Sequence, residues 1–245
     1  MIAFCCGAPA GASDGTACQQ RARVEGLVWT ECANGSVWII ETTRKLGLFH
    51  SSRGVPTLRK RLAGRPGALL LVNGSYHNGD YARPRFEGLL RVGVRAVGAP
   101  KVDDLQLTHI LSIDRSGRIA SIQPASAITF AGLPHDRDHV QSGPLILDKG
   151  VVALGPISRS LNGSDAYKRT AIGRTREGET VIVVAKTPRS LADLGQLVAQ
   201  ANSLEERGLT LVNLDGGPST GIHSDVVPKL SYGADKVTPV GFAVE

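Results

Sequence analysis

The distribution of apolar residues along the chain predicts mostly β-structure. Three apolar segments, 37–42, 68–72 and 209–214, are bounded by glycine or polar residues, as buried strands usually are. Short polar turns separate several neighbouring segments, which is typical of antiparallel hairpins. Further strands are predicted at 90–97, 107–113, 118–122, 145–147, 151–154, 171–174, 180–186 and 237–244.

Helical spacing is present in two segments. The first, 57–63, predicts a short helix that ends at a glycine- and proline-containing turn. The second segment begins at Ser190, whose hydroxyl is expected to cap the helix. Its apolar residues over 191–201 lie on one face, and the helix is expected to end near Gly208. Regular βαβ alternation is missing, which excludes a Rossmann fold. The pattern predicts a single α+β (mixed α/β) domain with mixed sheets, hairpins, few helices and site loops at strand ends.

The first twenty residues follow neither pattern. Residues 1–20 are predicted to be a leader or disordered segment, and the domain is predicted to span 21–245. A short apolar stretch followed by small residues favours the remnant of a secretory signal over a disordered leader. On that view the protein is secreted or periplasmic. Cys18 and Cys32 would then form a disulfide, with two structural thiols as the alternative.

Composition and charge exclude some classes of partner. The chain has 245 residues, 42% of them apolar, which suits one folded domain with a sizeable core. The net charge is +6, and the densest basic cluster lies at 53–65. We interpret that cluster as a solvated helix face, because no aromatic residues are interleaved for base stacking. No segment approaches the ~20 apolar residues of a membrane span. Neither nucleic acid nor a membrane span is therefore predicted, and the oligomeric state stays open.

Candidate chemistry is concentrated in loops at strand ends. Three loops, 73–80, 141–144 and 215–220, combine glycine with short polar side chains. Such loops bring backbone N–H groups and hydroxyls close to a ligand, commonly a phosphate. Lys168 and Arg169 add two cations before a strand, and arginine binds phosphate through two parallel hydrogen bonds. The alternative for Arg169 is a surface ion pair.

Four motifs, taken in order and spacing, carry a family resemblance. The segments NGSYHNGDYARP, QSGPLILDKG, KRTAIGR and NLDGGPST resemble the phosphodiester glycosidase family, from about Gly67 to Phe242. The family pattern has Asn-Ala-Gly before an aromatic residue in the first loop. Here the loop reads Asn73-Gly74-Ser75-Tyr76, which keeps the asparagine and the aromatic residue in register. The resemblance implies hydrolysis of a sugar-1-phosphodiester to free sugar and a phosphate monoester, with no cofactor and no metal ligand expected.

Individual roles follow from this resemblance and from the chemistry of the leaving group. A phosphate monoester leaves readily, so one carboxylate and one cation can replace the usual pair of carboxylates. Asp215 is expected to act as nucleophile or base, with an Asx-turn role as the alternative, and Arg169 to stabilise the departing phosphate. His77 or Asp80 is the candidate second acid or base. The expected substrate-binding residues are Asn73, Gly74, Tyr76, Ser142, Gly143, Thr170, Gly216, Gly217, Ser219 and Thr220.

Two other functions stay open on the sequence. A non-catalytic binder of phosphorylated glycans would use the same loops but would not need the carboxylate of Asp215. A metal-dependent phosphodiesterase would cut P–O rather than C–O. His135 and His139 have metal-ligand spacing, but the residues before them are typical of a loop, which favours a solvated segment over a metal site.

Overall fold

The computed structural model describes residues 17–51, 55–80, 83–160 and 162–245. The helices in these ranges are α1 (Leu58–Ala63), α2 (Leu154–Arg159) and α3 (Leu191–Gln200). None of them is long and apolar enough to cross a membrane. The strands of the described residues are β1 (Cys18–Val24), β2 (Leu27–Cys32), β3 (Val37–Thr42), β4 (Leu46–His50), β5 (Leu70–Asn73), β6 (Leu90–Val92), β7 (Arg95–Ala96), β8 (His109–Ile113), β9 (Ile119–Pro124), β10 (Asp138–Ser142), β11 (Leu145–Asp148), β12 (Val151–Val152), β13 (Tyr167–Arg174), β14 (Thr180–Arg189), β15 (Thr210–Asn213), β16 (Ile222–Ser224) and β17 (Val240–Val244).

These strands form three antiparallel sheets. The largest has eight strands in the order β1-β2-β3-β14-β13-β15-β11-β12. A five-stranded sheet has the order β7-β6-β10-β8-β9, and a four-stranded sheet has the order β16-β5-β17-β4. Antiparallel sheets with few helices confirm the predicted α+β class, and the hairpin β13–β14 lies where the apolar pattern predicted it.

The eight-stranded sheet is apolar on both faces. Along β14, Ile182 and Val183 are fully buried on opposite faces, because successive side chains of a strand alternate. On one side α3 packs through Leu194, and on the other the four-stranded sheet packs through Phe242. Burial on both faces explains why the central strands are continuous apolar runs rather than alternating ones.

Three predicted elements differ clearly from the structure. The segment expected as one strand over 90–97 is the antiparallel hairpin β6–β7, with a turn at 93–94. The strand expected over 151–154 ends at Val152, and α2 begins at Leu154. The helix after Ser190 ends at Gln200 rather than near Gly208. It stops because Ala201 has ψ of 133°, an extended conformation, and Asn202 follows with φ of 50° in the left-handed region.

The N-terminal edge of the large sheet carries a disulfide. Cys18 and Cys32 are bonded and join β1 to β2, the pairing that the sequence favoured. Residues 1–16 of the predicted leader lie outside the described residues, and β1 begins at Cys18. The division at residue 20 and the export of the protein stay predictions.

We expect removal of this disulfide to lower the free energy of unfolding by about 3 kcal/mol, because it closes a loop of ~15 residues in the unfolded chain. The test is urea unfolding of a Cys18→Ser, Cys32→Ser double variant against the oxidised wild type. The reduced wild type should unfold at the midpoint of the variant. A change well below ~1 kcal/mol would show that the β1–β2 hairpin holds its place without the cross-link.

Candidate active site

A cavity of about 240 Å³ lies where β13 and β15 meet at one end of the large sheet. Ala171 of β13 pairs with Asn213 of β15. Arg169 is two residues before Ala171, and Asp215 is two residues after Asn213. Alternation along each strand therefore points the side chains of Arg169, Asn213 and Asp215 to the same face. All three line the cavity.

The backbone of Asp215 is fixed by the first polar loop. Its N–H donates to Gly74 O at 3.0 Å, and its carbonyl accepts from Asn73 Nδ2 at 2.7 Å. The Asp215 carboxylate accepts hydrogen bonds from the Ser219 hydroxyl and the Gly216 N–H. Its side chain is 20% exposed, toward the cavity that it lines. These contacts hold the carboxylate in one orientation at the cavity wall.

The electrostatic surroundings set the protonation of Asp215 and His77. Burial raises the pKa of Asp215 to about 6, and the hydrogen bonds from Ser219 and Gly216 limit the rise. Burial lowers the pKa of His77. His77 Nδ1 accepts from the Gly79 N–H at 3.0 Å, so the neutral ring carries its hydrogen on Nε2. Nε2 lies 3.8 Å from Asp215 Oδ2. At neutral pH the site holds an ionised carboxylate beside a neutral imidazole.

This raised pKa predicts a stability effect for Asp215→Asn. Ionised Asp215 is less favourable in the folded than in the unfolded chain, so its penalty is absent below about pH 4 and complete above about pH 6. Asparagine keeps an acceptor for Ser219 but carries no charge. We expect the variant to be more stable than wild type by about 3 kcal/mol near pH 8, with the gain vanishing near pH 4.

Thermal unfolding across this pH range measures the difference. Glu177→Gln is the matched control, because Glu177 is exposed in the turn between β13 and β14. The control should show no gain that grows with pH. A gain for Asp215→Asn that is the same at pH 4 and pH 8 would contradict a buried ionised carboxylate.

Arg169 supplies a buried positive charge at the cavity. Only 4% of its surface is exposed. Nε donates to Arg189 O at 3.2 Å, and Nη2 donates to Asn162 O at 2.7 Å and Asp165 O at 2.6 Å. Within the described ranges, no carboxylate lies within 4 Å of the guanidinium. Arg169 is therefore not a surface ion pair. Its orientation is fixed by neutral carbonyls, and its charge is available to an anion.

A third wall joins Tyr76, Gly143 and Asn213. The Tyr76 hydroxyl donates to Gly143 O at 2.8 Å and accepts from Asn213 Nδ2 at 2.6 Å. Gly143 has φ of 153°, and a Cβ there would lie 2.5 Å from Gln106 O, so only glycine fits. The sequence did not predict Asn213 as a site residue, because the glycines and short polar residues lie in the loop after it. Its position two residues before Asp215, on the same face of the strand, was the available signal.

Several predicted substrate-binding residues hold the walls of the cavity. Asn73 Oδ1 accepts from Thr170 Oγ1 at 2.7 Å and from the Gly221 N–H at 3.0 Å. Ser142 Oγ donates to Asn213 O at 2.7 Å. The side chains of Asn73, Thr170 and Ser142 are buried and are not part of the cavity lining. Their polar atoms fix the ends of the strands that carry Asp215 and Asn213.

The glycines of these loops allow close backbone approach. A Cβ at Gly74 would lie 3.0 Å from the backbone of β17, and one at Gly216 would lie 2.6 Å from the backbone of β13. Gly216 and Gly217 line the cavity, and Gly217 has φ of 55°. Thr220 is fully buried and lies outside the lining. The loop 215–220 thus packs tightly against its neighbours while its two glycines open onto the cavity.

Three candidate groups lie outside the cavity lining. His77 lies beside the Asp215 carboxylate but is not part of the lining. Asp80 is exposed, and its Oδ1 accepts a backbone N–H of its own loop at 3.1 Å. His139 lies in β10 with Nδ1 2.8 Å from Ser112 Oγ and Nε2 2.8 Å from Pro134 O, whereas His135 is exposed. In the described part of the chain, no group of three His, Cys, Asp or Glu side chains is arranged to hold a metal ion.

Comparison with known proteins identifies the family. The model of the phosphodiester glycosidase family matches residues 66–244. The chain belongs to the phosphodiester glycosidase family. This match contains every residue that lines the cavity, from Tyr76 to Pro218. The resemblance that the four motifs indicated is thereby confirmed, and the cavity lies in the part of the chain that defines the family.

Solved structures share the fold. The zebrafish N-acetylglucosamine-1-phosphodiester alpha-N-acetylglucosaminidase catalytic domain, auto-inhibited by its pro-peptide, is similar with a TM-score of 0.60 and 12% identity, over 94% of this chain and 87% of that one. A hypothetical protein from Synechocystis has a TM-score of 0.57 and 13% identity over 90% of this chain. This chain spans 62% of the length of the Synechocystis chain. A search of curated proteins gives no match.

Proposed function

We propose that the protein hydrolyses sugar-1-phosphodiesters to free sugar and a phosphate monoester. The observation that carries this proposal is one cavity lined by both the Asp215 carboxylate and the buried Arg169 guanidinium, with no carboxylate of the described residues paired to that cation. Membership of the family supports the reaction class. The name of the zebrafish relative supports N-acetylglucosamine as the first sugar to test.

Arg169 binds the phosphate in this proposal. A phosphodiester carries one negative charge, and more negative charge develops on its oxygens as the C–O bond breaks. The guanidinium is already fixed by three backbone carbonyls, so it need not reorganise during the reaction. Its position favours the departing phosphate over the intact substrate.

Asp215 acts at the anomeric carbon. As nucleophile it would form a glycosyl ester that water then hydrolyses, and as base it would take a proton from the attacking water. In either route the bond between C1 and the phosphate oxygen breaks, its electron pair stays on the phosphate, and the oxygen of water ends on C1. His77, rather than Asp80, is the group beside the carboxylate, because its Nε2 lies 3.8 Å from Oδ2.

Hydrolysis in 18O-water tests the proposal. The substrates are aryl- and UDP-linked N-acetylglucosamine 1-phosphates, and mass spectrometry of the phosphate product is the readout, because the anomeric oxygen of a free sugar exchanges with water. We expect an unlabelled phosphate monoester. Label in the phosphate would support a phosphodiesterase that cuts P–O. Binding without any turnover would support a non-catalytic glycan binder.

A further inference from the structure

One buried acceptor in the cavity has no partner among the described residues. Asn213 is 1% exposed and lines the cavity, yet its Oδ1 makes no hydrogen bond to any described residue. Buried polar atoms are nearly always paired, so an orphan at a ligand cavity indicates a group that arrives with the ligand. Both hydrogen bonds of this side chain come from Nδ2, which donates to Tyr76 Oη at 2.6 Å and to Gly143 O at 3.2 Å.

The surrounding groups fix which end of the amide is the acceptor. Gly143 O can only accept. The Tyr76 hydroxyl donates its one hydrogen to Gly143 O at 2.8 Å, so toward Asn213 it can only accept. Nδ2 of Asn213 therefore has to face both of them. A flipped amide would place Oδ1 3.2 Å from the Gly143 carbonyl, acceptor against acceptor, so the network favours Oδ1 as the unpaired atom.

We propose that Asn213 Oδ1 accepts a hydrogen bond from a hydroxyl or acetamido N–H of the sugar, and so selects sugars that carry a donor at that position. This inference rests on the proposed function. A phosphodiester offers only acceptor oxygens, so Asn213 Oδ1 cannot bind the phosphate. The cavity is thereby divided, with Arg169 for the phosphate, Asn213 for the sugar, and Asp215 lining the same cavity. Tyr76 is a positioning residue, because it holds the amide in this orientation.

The expected consequence is discrimination against a deoxy sugar. A sugar that lacks the donor leaves Oδ1 buried and unpaired, and such sites reject the deficient ligand strongly. For a single neutral hydrogen bond we expect about 10- to 100-fold weaker binding of one monodeoxy analogue. The analogues deoxygenated elsewhere should bind within about threefold of the parent sugar, since their missing groups do not face this oxygen.

Calorimetric binding tests this without requiring turnover. The ligands are N-acetylglucosamine 1-phosphate, its 3-, 4- and 6-deoxy analogues, and 2-deoxyglucose 1-phosphate. In wild type one analogue should show the penalty, and in Asn213→Ala the same penalty should shrink to about threefold or less. Equal penalties in both proteins, no penalised analogue, or no binding of any of these ligands by wild type would overturn the proposal. A protein that binds with this selectivity but hydrolyses no diester would refute the proposed reaction alone.

A second variant tests the role of the amide orientation. Tyr76→Phe removes the hydroxyl that accepts from Nδ2 but leaves Asn213 in place. We expect it to reduce the deoxy penalty while the parent sugar phosphate still binds. Should Asn213→Ala not fold, the wild-type analogue series together with Tyr76→Phe decides the question. A full wild-type penalty in Tyr76→Phe would show that the hydroxyl does not position the amide.

Discussion

Replacement of Asp215 by asparagine is expected to lower kcat/KM for a sugar-1-phosphodiester by about 10⁴-fold. Asparagine has nearly the same shape and keeps one acceptor oxygen for the Ser219 hydroxyl, so the loop should keep its conformation. It cannot act as a nucleophile or take a proton from water. The loss should therefore appear in kcat, and the dissociation constant of the substrate should change little.

The pH profile gives a second test of the same carboxylate. In wild type, kcat/KM should fall about tenfold per pH unit below pH ~6, because Asp215 must be ionised and burial raises its pKa to about 6. Glu177→Gln, in the exposed turn, should leave the activity and profile unchanged. Turnover by Asp215→Asn near the wild-type rate would refute the assigned role of this residue.

The two predicted effects of Asp215→Asn have opposite signs, and this separates chemistry from folding. Burial of an ionised carboxylate destabilises the folded chain, so the variant should be more stable at neutral pH while it loses activity. A variant that is inactive because it misfolds would show lower stability. A group that is unfavourable for folding but kept at a cavity wall is typical of functional sites.

The fold was predictable where it depends on local pattern. The hairpin β13–β14 and the buried strands β5 and β15 are continuous apolar segments bounded by turns. Among the described residues, the pattern missed five strands, β1, β2, β4, β10 and β16. Of these, β10 is polar and β1 is exposed, whereas β2 and β4 are short, largely apolar and buried. β10 consists of Asp138–Ser142, and Gln141 is fully buried only because its amide bonds to the carbonyls of Lys101 and Leu107. β1 is mostly exposed at the sheet edge. The burial of Gln141 and the pairing of β1 both depend on neighbouring segments, so neither can be predicted from the local sequence.

The candidate site was predictable to the level of loops but not of side-chain direction. Asp215, Arg169 and Tyr76 belong to three of the motifs and line the cavity, and their roles stay predictions. Asn73 and Thr170 belong to the same motifs, yet they bond to each other and hold the Asp215 loop. A short polar side chain at a strand end can face a ligand or an adjacent loop. The register between β13 and β15 decides this, and it depends on contacts distant in sequence.

Replacement of Arg169 by lysine is expected to lower kcat for a sugar-1-phosphodiester by about 10²-fold. Lysine keeps the positive charge but lacks the planar fork that bonds to three backbone carbonyls and to phosphate at once. The charge would no longer be fixed beside the oxygens on which negative charge develops. The loss should therefore be larger in kcat than in KM.

The leaving group shows whether this loss arises at the phosphate. The glycosyl fluoride of the same sugar and anomeric configuration carries no phosphate, so Arg169→Lys should hydrolyse it within a few-fold of wild type. Arg174→Lys is the matched control. Arg174 lies on the same strand and donates to the carbonyls of Ile119 and Ala120, but it is not part of the cavity lining. It should leave both reactions unchanged. Equal losses by Arg169→Lys on the phosphodiester and the fluoride would make Arg169 a structural residue, because a contact with phosphate affects only the substrate that contains one.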